Sequence, residues 1–146
     1  MAQLFKQRVR RQRIAKSEVP VFLVDDDPLY LHVLKEKLKK YPNVRLYSYR
    51  SGEDCLQYLH LNPRVVILDY YLDPGSMNGI EILKQIKQLN PATEVIVLSS
   101  QDTLQVVADS LGSGAFAYLI KDSQVFVSIG KLLKTLSGGE TGQKDN

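Results

Sequence analysis

Hydrophobic and polar positions along the chain alternate between two periods. Val19–Val24 (VPVFLV) is a short apolar run rich in strand formers. Residues 28–40 then change to helical spacing, with Leu31, Leu34, Leu38 and next Tyr41 on one face. Pro28 suits a first helical turn, where a missing N–H costs nothing, and Pro42-Asn43 stops the helix. Val44–Tyr49 reads as a strand, with Val44, Leu46 and Ser48 opposite Arg45, Tyr47 and Tyr49. Ser51, with Asp54 three residues on, opens a helix that carries Cys55, Leu56 and Leu59 and ends before Pro63. Residues 65–68 (VVIL) are wholly apolar and run into Asp69. A loop of about ten residues follows, with turn signals at Asp73-Pro74-Gly75 and Asn78-Gly79. Residues 80–89 return to helical spacing through Ile82, Leu83, Ile86 and Leu89 and stop at Asn90-Pro91. Residues 94–98 (EVIVL) predict a fourth strand. Asp102 is the expected cap of a short helix whose stripe is Leu104, Val107 and Leu111, broken by Gly112 and Gly114. Residues 115–120 (AFAYLI) predict a fifth strand, and Val125, Ile129, Leu132, Leu133 and Leu136 mark a last helix that Asp122 or Ser123 caps.

Five strands thus alternate with five helices. The runs at 21–24, 65–68 and 95–98 are apolar at every position, the mark of strands buried on both faces. Parallel strands need helical crossovers, and a helix lies between each pair of strands. The expected fold is α/β, an open parallel sheet with helices on both faces. Periodicity does not specify the strand order.

A chain of 146 residues, 44% apolar and 24% charged, fits one domain that buries a core without metal or disulfide. One cysteine, Cys55, and two histidines exclude a disulfide scaffold and a Cys- or His-rich metal site. No apolar run approaches membrane-spanning length and no secretory leader is apparent, so a soluble cytoplasmic domain is expected. The +3 charge is unevenly placed. Residues 1–17 hold Lys6, Arg8, Arg10, Arg11, Arg13 and Lys16 and no acid, whereas the rest carries 13 basic and 16 acidic residues, a net −3. The expected organisation is a basic tail (1–17), a mildly acidic domain (18–136) and a polar tail or linker (137–146). Such a basic tail either binds an anionic surface, nucleic acid or membrane, or serves as a solvated leader.

In open parallel sheets ligands sit beyond the carboxyl ends of the strands. Strand one ends in Asp25-Asp26-Asp27, strand three in Asp69, strand four in Ser99-Ser100 and strand five in Lys121-Asp122. A parallel sheet brings all of these to one edge. Clustered carboxylates repel one another unless a cation joins them. All-oxygen donors suit a hard cation such as Mg²⁺. The lysine can neutralise a second anion, a serine hydroxyl can donate to it, and a carboxylate can attack phosphorus to form an aspartyl phosphate. Each residue has a plainer use as well: Asp27 caps a helix, Asp25 and Asp26 make a solvated turn, Asp69 caps a loop and Lys121 faces water. The force of the pattern is that all of them fall at the correct strand ends.

With these residues in place, the chain over about 19–136 resembles a response-regulator receiver domain. The acid pair is Asp25-Asp26, the acceptor position falls on Asp69, the hydroxyl position on Ser99, the lysine on Lys121 and the aromatic switch position on Tyr118. Ser99 and Lys121 are separated by 22 residues, as is usual in the family. The resemblance implies a flavodoxin-like sheet ordered 2-1-3-4-5. It implies Mg²⁺ held by Asp26, Asp69 and the backbone carbonyl of Tyr71, with Asp25 acting mainly through water. A sensor histidine kinase or histidine phosphotransfer protein would donate a phosphoryl group to Asp69, with Lys121 and Ser99 holding its oxygens. Inward movement of Ser99 and Tyr118 would alter the surface of the fourth helix, fifth strand and fifth helix, where partners or a second copy dock. The implied role is a signalling phosphoacceptor rather than an enzyme, with no nucleic-acid binding by the core.

Three departures from the family pattern stand out. The loop after Asp69 (Tyr70-Tyr71-Leu72-Asp73-Pro74-Gly75-Ser76-Met77-Asn78-Gly79) is two residues longer than usual. Asp122 replaces the usual proline after Lys121, so a trans peptide is expected there. Tyr71 and Gln101 occupy the two variable positions flanking the path of hydrolytic water, and the bulk of Tyr71 is expected to lengthen the life of the acyl phosphate. Ten polar residues after 136 are too few for an effector domain, which leaves a stand-alone receiver or a receiver from a longer regulator or hybrid kinase. Three other readings compete. An aspartyl-nucleophile hydrolase of the haloacid-dehalogenase type would use Asp25-x-Asp27, but Leu29 stands where it wants Thr or Val and no cap segment is present. A nucleotide or flavin domain would need a Gly- or Ser/Thr-rich loop where three acids stand, and Gly112-x-Gly114 is misplaced for it. A phosphorylation-independent pseudo-receiver is disfavoured by the intact acid set.

Overall fold

A computed structural model describes residues 18–137 other than Ser76 and Asp102. The basic segment 1–17, the expected cap Asp102 and the polar segment 138–146 lie outside the described residues. Five strands, β1 (Val19–Val24), β2 (Val44–Tyr49), β3 (Val65–Asp69), β4 (Glu94–Ser99) and β5 (Ala117–Ile120), form one parallel sheet in the order β2-β1-β3-β4-β5. Five α-helices connect and follow them: α1 (Pro28–Leu38), α2 (Gly52–Gln57), α3 (Gly79–Leu89), α4 (Leu104–Gly112) and α5 (Val125–Ser137). A 3₁₀ turn at Leu59–Leu61 extends α2 and ends at Asn62, whose left-handed φ of 54° turns the chain into Pro63.

Alternation along the strands divides the core in two. Val21, Leu23, Val65, Ile67, Ile96 and Leu98 face α1 and α5, meeting Leu31, Leu34, Leu38, Val125, Ile129 and Leu133. Phe22, Val24, Val66, Leu68, Val95 and Val97 face the opposite side, meeting Cys55, Leu59, Ile82, Leu83 and Ile86. Both strand faces are therefore dry, which is why β1, β3 and β4 read as unbroken apolar runs. Burying each such side chain contributes about 1.5–3 kcal/mol. The parallel register aligns the carboxyl ends: Val24 pairs with Leu68, Asp69 with Leu98, and Ser99 with Ile120.

Two helix starts follow the expected caps, Asp27 and Ser51, and a third is capped by Asn78, which the sequence marks only as a turn. Asp27 accepts from the Leu29 N–H ahead of Pro28, Ser51 from Asp54 and Asn78 from Glu81. Two expectations fail around α4. Its N-cap is Thr103, whose side chain accepts from the Val106 N–H. Its inward face is Val106 and Ser110 rather than Leu104, Val107 and Leu111; Leu104 is 84% exposed while Ser110 is fully buried. The Ser110 hydroxyl donates to the Val106 carbonyl 2.8 Å away, which lets a polar residue face inward at little cost. The fifth strand begins at Ala117, not 115. The Ala115 N–H donates to the Ser110 carbonyl and closes the helix end, and Gly114 at φ 103° makes the turn.

Candidate functional site

Three carboxylates meet at the carboxyl edge of the sheet. Leaving β1, Asp25 continues the ladder through its N–H to the Tyr49 carbonyl (3.1 Å), and its Oδ1 accepts the Asp27 N–H (2.9 Å). Asp69 closes β3, and the Tyr70 N–H after it donates to the Leu98 carbonyl at 2.8 Å. One oxygen from each of Asp25, Asp26 and Asp69 lies within 4.8 Å of the others. Asp25 is 3% and Asp69 7% exposed. Lys121 enters from the end of β5, where its N–H donates to the Ser99 carbonyl at 2.8 Å. Its Nζ lies 2.8 Å from Asp25 Oδ2 and 3.5 Å from Asp69 Oδ2. The peptide between Lys121 and Asp122 is trans, as expected.

The electrostatics follow from this crowding. Burial pushes the Asp69 carboxyl up to about 6, the negative charge of Asp25 adds to the rise, and Lys121 and the Tyr71 N–H pull against it. One ammonium does not balance three carboxylates, so the pocket favours a further positive charge. The donors are all oxygens, which fits a hard divalent cation such as Mg²⁺ and gives no reason to expect a soft metal. The residues present therefore fit the group that the sequence implies.

The remaining expected site residues gather around Gln101. Ser99 is fully buried at the end of β4, and its Oγ accepts the Gln101 N–H at 3.1 Å. The Tyr71 N–H donates to Asp69 Oδ1 (3.3 Å), and its hydroxyl donates to Gln101 Oε1 (3.0 Å). The Tyr118 hydroxyl donates to the Gln101 carbonyl. The two residues expected to flank the acceptor thus touch each other, and both switch residues bond the same loop residue. Ser100, beside Ser99, is exposed. The long loop after Asp69 is tied back by the Met77 N–H to Glu53 Oε1 (2.6 Å) and by the Gly79 N–H to the Tyr70 carbonyl (3.2 Å).

One residue of the site goes unnoticed in the sequence. Tyr30, in the first turn of α1, lies with its ring centroid 4.1 Å from Lys121 Nζ. Its hydroxyl is pushed up to about 12 by burial and by the charges of Asp25 and Asp69. The signal was its spacing, since Tyr30, Leu34 and Leu38 repeat at four-residue intervals on the inward side of α1.

A family model described as response regulator receiver domain matches residues 21–131. Among curated relatives, the transcriptional regulatory protein MalR of Bacillus subtilis is 34% identical over 107 residues, covering 70% of this chain and 44% of its own length. This chain thus spans less than half of that relative. Among solved structures, the BeF3-activated receiver domain of Thermotoga maritima DrrB is 29% identical, with a TM-score of 0.69 over 80% of this chain and 98% of that one. The signal receiver domain of the response regulator NarL from Mycobacterium tuberculosis is 27% identical, with a TM-score of 0.74 over 84% of this chain and 98% of that one. No helix among the described residues is long and apolar enough to cross a membrane.

Proposed function

The chain belongs to the response regulator receiver family, whose members are signalling modules of two-component systems, and on that premise we propose that Asp69 is its phosphoacceptor. The observation that carries this reading is the meeting of Asp25, Asp26 and Asp69 within 4.8 Å, with Lys121 reaching both Asp25 and Asp69. The donor is a phosphohistidine on a sensor kinase or a phosphotransfer protein, which implies a cytoplasmic setting. A carboxylate oxygen of Asp69 attacks phosphorus, the P–N bond to the imidazole breaks, and the imidazole nitrogen leaves with the electron pair and takes up a proton. Asp25, Asp26, Asp69 and the backbone carbonyl of Tyr71 would hold Mg²⁺, which supplies counter-charge for the incoming phosphoryl oxygens. Lys121 turns from Asp25 toward the new phosphoryl group, and the Ser99 hydroxyl, which accepts the Gln101 N–H, donates to it. Positioning and charge neutralisation do most of the work.

The output follows from the bonds at Gln101. A change in Ser99 is felt at the Gln101 N–H, and Tyr118 reports on the same residue through its carbonyl. Both lie beside the surface formed by α4, β5 and α5, where Leu104, Leu111, Phe116 and Ile120 are exposed. That apolar surface is the docking face for a partner or a second copy of the domain. Tyr71 and Gln101, bonded to each other beside Asp69, set the rate at which water removes the phosphoryl group.

The test is mass spectrometry after incubation with acetyl phosphate or phosphoramidate in Mg²⁺. A gain of about 80 Da is expected on the wild type and none on Asp69→Asn. Label on Asp25 instead would favour the hydrolase reading.

A further inference from the structure

The side chain of Lys121 carries its charge on a flexible four-carbon stem, and something must keep that charge in reach of the acceptor. In the present arrangement Asp25 does so directly, at 2.8 Å. An ion pair alone is a poor holder for a group that must later turn to a phosphoryl oxygen, because leaving the pair forfeits the whole attraction. An aromatic ring also lies against the ammonium. Lys121 Nζ lies 4.1 Å from the ring centroid of Tyr30, well inside the roughly 6 Å over which such attraction acts. The lysine side chain is only 17% exposed, so the attraction is weakly screened.

We propose that Tyr30 is a positioning residue for Lys121, its ring holding the ammonium beside Asp25 and Asp69 while leaving it free to pivot between them. The inference rests on the reading of Asp69 as phosphoacceptor. Three observations carry it. The ring is anchored: it sits in the first turn of α1, two residues after Pro28, and stacks on Phe126 of α5 at 6.2 Å between centroids. Its hydroxyl is buried and finds no hydrogen-bond partner among the described residues, so no polar contact of the hydroxyl explains the placement. The π face attracts a cation without demanding one N–H direction, which suits a lysine that exchanges one anionic partner for another.

The experiment compares wild type, Tyr30→Phe and Tyr30→Leu in the full chain. The rate of phosphoryl uptake from phosphoramidate in Mg²⁺ should fall about 5- to 30-fold in Tyr30→Leu and stay within about twofold in Tyr30→Phe. In a Lys121→Met background, Tyr30→Leu should add no further loss. Nuclear magnetic resonance supplies a readout independent of phosphorylation. The ε-methylene protons of Lys121, assigned by their disappearance in Lys121→Met, should be shifted upfield by the ring in wild type and Tyr30→Phe and return to the ordinary lysine position in Tyr30→Leu. An unchanged uptake rate in a folded Tyr30→Leu overturns the proposal, as does Tyr30→Phe losing as much as Tyr30→Leu. So does an unshifted lysine methylene in the wild type, whether or not the leucine variant folds. A wild type that takes up no phosphoryl group defeats the phosphoacceptor reading instead, and the methylene shift then decides the Tyr30 contact alone.

Discussion

Replacing Asp69 with asparagine should make the metal-free protein more stable at neutral pH, and the gain should fade in acid. Asp69 is buried beside Asp25, and its carboxyl is held at about 6 rather than the ordinary 3.8. A carboxyl displaced upward keeps its proton in the folded state at pH values where the unfolded chain has already lost it. Folding therefore takes up a proton between about pH 4 and pH 6, and stability falls as pH rises through that window. Above it the ionised group costs about 3 kcal/mol. Asparagine carries no charge and escapes this cost. It gives up part of the attraction to Lys121, 3.5 Å away, but Lys121 keeps Asp25 at 2.8 Å, and the amide oxygen can still accept the Tyr71 N–H. A net gain of about 2 kcal/mol is expected above pH 7, roughly 6–10 °C in Tm for a domain of this size. The assay is urea and thermal unfolding followed by circular dichroism, with chelator present, from about pH 4 to pH 8. The difference between variant and wild type should open across the window and then level off. Adding Mg²⁺ should raise the wild type and reduce the gap, since a ligand stabilises the form that binds it. An Asp69→Asn protein no more stable than wild type at neutral pH, or a gap that does not change with pH, would refute this account of the pocket.

Three further outcomes are expected. Tyr71→Ala should shorten the half-life of the phosphorylated protein roughly three- to tenfold, and Tyr71→Phe, which keeps the ring and loses only the bond to Gln101, should lie between; an unchanged half-life in Tyr71→Ala sinks the shielding idea. Gly79→Ala should cost about 1–3 kcal/mol in urea unfolding, because an added Cβ would meet the Asp69 and Tyr70 carbonyl oxygens at 2.7 Å and backbone cannot step aside as a side chain can. Val106→Ala should cost about 1–2 kcal/mol while Leu104→Ala stays within about 0.5 kcal/mol, and the reverse order would mean that α4 buries the other face.

The parts of the fold legible in the sequence are those set by local chemistry and burial. Strands that are apolar at every position announce a sheet covered on both sides, and the two core clusters bear this out residue by residue. Caps are equally local: Asp27 and Ser51 each accept an N–H within three residues, and Asn78, marked in the sequence only as a turn, does the same. The site was legible for a related reason. Chemistry-bearing residues stand immediately after the strands, and a parallel register leaves their ends no choice but to meet. Asp25, Asp69, Ser99 and Lys121 are separated in sequence by tens of residues and brought together by the ladder alone.

What escaped the sequence depends on partners that periodicity does not see. Counting apolar residues selects Leu104, Val107 and Leu111 as the inward face of α4. Ser110 goes inward instead because a hydroxyl in a helix can satisfy itself on the carbonyl one turn back. Ala115 has a strand-like neighbourhood, yet its N–H is taken by the Ser110 carbonyl and β5 starts two residues later. Tyr30 was passed over because an aromatic residue one turn into an amphipathic helix is ordinarily core, and only the arrival of Lys121 from β5 gives its ring a second use. Gln101 is expected beside the acceptor, but its being the shared partner of Ser99, Tyr71 and Tyr118 is a contact that periodicity does not show. The acid set and the lysine define which chemistry the pocket can perform. On the reading proposed above, the aromatic and amide groups around them govern how firmly the lysine is held, how long the product lasts and how far the change is felt. On that reading those three properties can differ widely among chains that share the same four charged residues, and in this chain the proposal assigns them to Tyr30, Tyr71 and Gln101.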